Sequence, residues 1–114
     1  MNHNPSDQGT SDVTEDRVLG GRVLLRQPAR GYRAGLDAAL LAAACDAPDG
    51  ARVLEAGSGV GGALLQAAAR RPKTHFVGVE RDPAACRLAG LNAARAAGSS
   101  RSNCIRHSAC GPAQ

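Results

Sequence analysis

The residues best suited to chemistry are two glutamates and the glycines between them. Glu55-Ala56-Gly57-Ser58-Gly59-Val60-Gly61-Gly62 follows a short β-prone run and opens onto a helix-prone stretch, and Glu80 closes the next β-prone run 18 residues beyond Gly62. Glycines at such a strand-to-helix turn let the backbone approach a bound nucleotide where any Cβ would intervene. A carboxylate at the end of the second strand can accept both hydroxyls of a ribose. The spacing reads in two ways. Gly57, Gly59 and Gly62 fit GxGxxG, the pattern of a dinucleotide such as NAD, whereas Glu55, Gly57, Gly59 and Gly61 fit ExGxGxG. Glu55 separates the readings, because its charge repels a pyrophosphate and attracts the ammonium on the methionine part of S-adenosylmethionine. S-adenosylmethionine is therefore the expected cofactor, with an NAD-binding half-domain as the alternative.

The elements that must position these groups are legible from local signals. Arg52–Glu55 reads as a strand, Ala63–Arg71 as a helix with arginines at its dipole-negative end, and Thr74–Glu80 as a buried strand. Asp82-Pro83 reads as a cap followed by proline at the first helical position, starting a helix that runs to about Ala97 before Gly98. This βαβα succession predicts the α/β class with parallel strands. Upstream, Arg17–Leu19 and Arg22–Arg26 read as strands of a short hairpin about Gly20-Gly21, ended by Pro28. Asp37 is placed to cap a helix running through Cys45.

Composition bounds the rest. The 114 residues make at most one small domain, since domains commonly run roughly 100–150 residues. With 43% hydrophobic and 21% charged residues the chain is globular in class, but 2% aromatics leaves an alanine-rich core that buries little area. No apolar run reaches the roughly 20 residues of a membrane span, and the acidic start lacks the basic, apolar pattern of a secretory signal, so a cytoplasmic protein is expected. Residues 1–16, with Asp7, Asp12, Glu15 and Asp16 and no Lys or Arg, read as a disordered acidic tail. Beyond them 14 basic residues face six acids, a net charge of +8 compatible with a nucleic-acid partner. The four cysteines form no CxxC pair and are expected reduced. Cys104, His107 and Cys110 offer three ligands where structural zinc takes four, so no metal is expected. His75 reads as an ordinary strand histidine. From residue 98 to 114 the sequence loses its pattern: it has one large aliphatic residue, Ile105, and no acid, where a third parallel strand should be a continuous apolar run. That segment reads as an irregular tail, and the chain as the truncated first half of a larger sheet.

The succession Gly20-Gly21-Arg22-Val23, Gln27-Pro28, Gly31-Tyr32-Arg33-Ala34-Gly35-Leu36-Asp37-Ala38 and Leu40-Leu41-Ala42-Ala43, followed by Val53–Gly61, resembles the N-terminal half of the bacterial valine-tRNA adenine-N6 methyltransferases. The resemblance covers about residues 17–97. It implies a Rossmann-like S-adenosylmethionine-dependent fold, a tRNA adenine amine as target, Glu55, Gly57, Gly59 and Gly61 as the methionine-side loop, Glu80 on the ribose and Asp37 over the methionine end. For Asp37 a plain helix cap is the competing role. Such enzymes carry an Asn/Asp-Pro-Pro-aromatic motif that grips the amine, and these 114 residues contain no Pro-Pro. An inactive fragment that at most binds nucleotide or a partner is therefore the alternative function.

Overall fold

Three consecutive residues in the left-handed region, Leu19 (φ 54°), Gly20 (63°) and Gly21 (85°), reverse the chain near its start. Glycine takes this region without steric cost. Around the turn, β1 (Val13–Val18) pairs antiparallel with β2 (Val23–Pro28), Val18 opposite Val23 and Val13 opposite Pro28. The computed structural model describes residues 12–31, 33–99 and 104–109. Then follow α1 (Leu36–Ala44), β3 (Arg52–Ala56), α2 (Gly62–Arg70), β4 (His75–Glu80), α3 (Pro83–Ser99) and β5 (Cys104–Ala109). Strands β3, β4 and β5 form a parallel sheet in that order, so the chain has the expected α/β class.

Three expectations need correction. Within the acidic tail assigned to residues 1–16, Val13–Asp16 belong to β1, and their charges have partners. Glu15 pairs with Arg26 (2.8 Å) and Arg95 (3.1 Å), and Asp16 with Arg33 (2.9 Å). Residues 1–11 lie outside the described residues. The irregular tail assigned to 98–114 contains a third parallel strand, with His75 opposite Cys104 and Glu80 opposite Ala109. Ladder hydrogen bonds are made by the backbone, and a strand bordering the sheet on one side does not require the apolar run of a central one. The Cys104, His107 and Cys110 spacing falls partly outside the described residues, as does Tyr32. Lastly, α1 begins at Leu36 with Gly35 in the cap position and no side-chain cap bond; Asp37 sits in its first turn.

Packing joins the hairpin to the sheet through α2. Leu64, Ala67 and Ala68 pack with Ala42 and Phe76, while the neighbouring Leu65 packs with Val23 and Leu25 of the hairpin. Phe76, Leu25 and Leu65 are almost wholly enclosed. A β-carbon on Gly62 would lie 2.5 Å from the Ala34 β-carbon, so glycine is what lets the start of α2 meet the 33–35 segment. At the far side of the described sheet β3 is an edge strand, and its Leu54 is 65% exposed. No described helix is long and apolar enough to cross a membrane.

Candidate functional site

Beyond the carboxyl ends of β3 and β4 the chain encloses a pocket of about 500 Å³, where ligands of open α/β sheets bind. Five of the six expected residues line it: Asp37, Glu55, Gly57, Gly59 and Glu80. The sixth, Gly61, does not. It takes φ 97° at the cap position of α2 and donates its N–H to the Ser58 carbonyl at 3.0 Å, so it shapes the turn without reaching the wall.

Backbone bonds tie the loop to β4. The N–H groups of Gly57 and Ser58 donate to the Val79 carbonyl at 2.7 and 3.1 Å. These bonds stitch the end of β3 to the end of β4. Gly57 (φ 69°) and Gly59 (φ 58°) occupy the left-handed region, and a β-carbon built on either meets nothing within 4 Å. Glycine serves here for conformation and leaves open space beside the backbone.

The two glutamates differ. Glu80 accepts the Asp82 N–H at Oε2 (2.8 Å) and the Gly59 N–H at Oε1 (2.8 Å). Those backbone donors, first Asp82 and then Gly59, hold its carboxyl below the usual range. Both oxygens are thus oriented while lone pairs remain, which suits acceptance from a cis-diol. Glu55 is half-buried, and its Oε1 is enclosed with no hydrogen-bond partner among the described residues. Burial pushes its carboxyl up. A buried carboxylate oxygen without a donor is costly, and a cationic ligand group would relieve it. The arrangement can therefore hold a molecule with an ammonium at one end and a diol at the other. Glu55 also borders an apolar groove of about 240 Å³ that runs along β3 beside Leu41, Val53 and Phe76.

Sequence reading finds the Asp82 cap, which accepts the Ala85 N–H at 3.0 Å, and misses three polar residues. Ser58 lines the pocket with its Oγ buried and without a partner among the described residues. Gln27 is buried on β2, accepting the Ala34 N–H (2.9 Å) and donating to Asp16 (2.9 Å), which fixes the segment leading to Asp37. Asn92, buried on α3, bonds to Arg26 and Val60. A polar residue on the apolar stripe Ala89, Asn92, Ala93, Ala96 was the available signal for it.

No family model matches the chain. It is 36% identical over 61 residues to a protein of the Flavobacteriaceae bacterium strain 3519-10 named tRNA1(Val) (adenine(37)-N6)-methyltransferase. The match spans 54% of this chain and 26% of that protein. Among solved structures, PH0793 of Pyrococcus horikoshii, described as a candidate transferase, superposes with a TM-score of 0.61 at 16% identity, over 89% of this chain and 38% of its own. YjhP of Escherichia coli gives a TM-score of 0.48 at 24% identity, over 62% of this chain and 28% of its own. The chain thus has an α/β fold shared with that transferase structure, preceded by a hairpin, and in sequence it matches about a quarter of a protein named as a tRNA adenine-N6 methyltransferase.

Proposed function

We propose that this chain forms the cofactor-holding part of an S-adenosylmethionine-dependent methyltransferase acting on an adenine amine of tRNA in the cytoplasm. The observation that carries the reading is the buried Glu55 Oε1, which lacks a partner among the described residues and belongs to a residue lining the same pocket as the oriented carboxylate of Glu80. Glu55 would hold the ammonium of the methionine part, Glu80 the ribose hydroxyls, and Asp37 would lie over the methionine end. Gly57 and Gly59 leave the space for close approach. When bound, the cofactor supplies an electrophilic methyl on a sulfonium. A dinucleotide suits the site less well. The amides of Gly57, Ser58 and Gly59 are engaged by Val79 and Glu80 rather than turned to a pyrophosphate, and Glu55 would repel one.

An adenine amine is a poor nucleophile because its lone pair is delocalised, and it needs carbonyl acceptors and alignment worth roughly 7–11 kcal/mol. These 114 residues hold no Asn-Pro-Pro-aromatic constellation to supply them. Cofactor binding without methyl transfer by this chain alone is therefore the expected behaviour. Calorimetry with S-adenosylmethionine and NADH, paired with a labelled-methyl assay on unmodified tRNA, tests both parts. Binding of NADH with none of S-adenosylmethionine would overturn the cofactor. Label transfer above a no-protein control would overturn the division of labour.

A further inference from the structure

One side chain joins three parts of the molecule that are distant in sequence. Asn92, 2% exposed on α3, accepts the Arg26 N–H at Oδ1 (3.0 Å) and donates through Nδ2 to the Arg26 carbonyl (3.0 Å) and the Val60 carbonyl (3.0 Å). Both backbone groups of Arg26 are thereby met by one amide, as a neighbouring strand would meet them. The third bond reaches the glycine loop between Gly59 and Gly61, both in the left-handed region. Glycines give such a loop many alternative shapes, so an external tie has more to restrain here than in ordinary backbone. Val60 and Gly59 line the pocket, whereas Arg26 and Asn92 do not.

We propose that Asn92 is a positioning residue for the cofactor loop, fixing the Gly59–Gly61 turn through Val60 and coupling that turn to the N-terminal hairpin through Arg26. The proposal rests on the cofactor reading above. It makes the hairpin part of the binding apparatus: hairpin, helix and loop share one buried amide whose acceptor and both donor hydrogens are all used.

Asn92→Asp keeps the shape and the acceptor but removes both donors. A carboxylate there faces two carbonyls, while its protonated form can donate to one of them again. Burial favours that protonated form. The charged groups near the contact are Arg26 on β2 and Arg95 on α3, both paired with Glu15 on β1, and Glu80, tied to the loop through Gly59. Glu15 is held below its usual range by hydrogen bonds from Arg26 and Arg95, so it stays ionised through the range tested.

Titration of the full chain with S-adenosylmethionine and with adenosine, at about pH 8 and pH 5.5, provides the test. Relative to the unmodified chain at each pH, N92D should bind S-adenosylmethionine about ten-fold more weakly at the higher pH, the scale of the one lost hydrogen bond that reaches the loop, that to Val60. The deficit should shrink at the lower pH, and adenosine should suffer less than the full cofactor. Equal losses for both ligands, or a deficit unmoved by pH, would assign Asn92 a merely structural role and overturn the proposal. Should N92D fail to fold, hydrogen exchange on the unmodified chain decides. Saturating cofactor should slow exchange of the Arg26 amide more than that of the His75 amide, which bonds to Ala51 at the opposite end of the sheet. Equal slowing would overturn the coupling. An unmodified chain that binds no S-adenosylmethionine removes the cofactor reading itself, a result distinct from all of these.

Discussion

The two ends of the pocket are each built on a glutamate near the carboxyl end of a parallel strand, and they are finished to different degrees. Glu80 has a backbone donor on each oxygen and is held ionised. Glu55, one strand away, has an enclosed oxygen with no donor among the described residues, and burial works against its charge. One end is preorganised by the fold, and in the proposed reading a ligand would complete the other. The same residue type at equivalent strand ends thus acquires opposite electrostatics from its neighbours alone.

Variants at both ends can break or sharpen this contrast. The largest effect is expected from Gly59→Val, which fills open space at the junction of the two ends and puts a β-branched residue at φ 58°. Calorimetry should detect no S-adenosylmethionine binding; retained affinity would mean the ligand does not approach the loop. Glu80→Ala should cost roughly 1–3 kcal/mol of binding free energy, the range for a hydrogen bond to a charged group and the penalty of its unpaired partner. Adenosine should lose as much as the full cofactor. A loss confined to the full cofactor would move Glu80 away from the ribose.

Smallest, and of opposite signs for binding and stability, are the effects of Glu55→Gln. Losing the charge should weaken S-adenosylmethionine binding by about 1 kcal/mol while leaving adenosine alone. For stability, the Glu55 carboxyl is raised above its ordinary value of 4.5, so its contribution is fully present below that value and is lost as pH rises through the raised one. At neutral pH the ionised group therefore opposes folding, and E55Q should unfold at an equal or higher urea midpoint. Glu80, lowered from the same ordinary value, contributes stability above it and loses that stability as pH falls through the lowered value. Acid titration should thus weaken cofactor binding first through Glu55 and then through Glu80, and E55Q should abolish the first step. A Gln variant that is less stable at neutral pH would show that Glu55 already has a partner.

Much of the pocket was legible beforehand because its signals are local. Strand, glycine loop and helix follow one another within twenty residues, and Gly57, Gly59 and Gly61 each answer a backbone requirement at their own positions. The charged start of the hairpin was not legible. Thr14, Glu15 and Asp16 look like tail residues until Arg26, Arg33 and Arg95 are brought beside them, and Arg95 lies 80 residues from Glu15. Strand β5 was missed for a related reason: its polar sequence carries no hydrophobic pattern, and its place is set by backbone pairing with β4.

The amino-acid order by itself determined the α/β alternation, the place of the glycine loop and the two glutamates at strand ends, since period, turn chemistry and strand termini are properties of neighbouring residues. Only the tertiary structure decided which of those glutamates is satisfied, that Asp37 joins them in one pocket, and that Asn92 ties Val60 and Arg26 across 32 and 66 residues. Hydrogen bonding and desolvation depend on what stands within a few ångströms, and no local periodicity specifies partners so far apart along the chain.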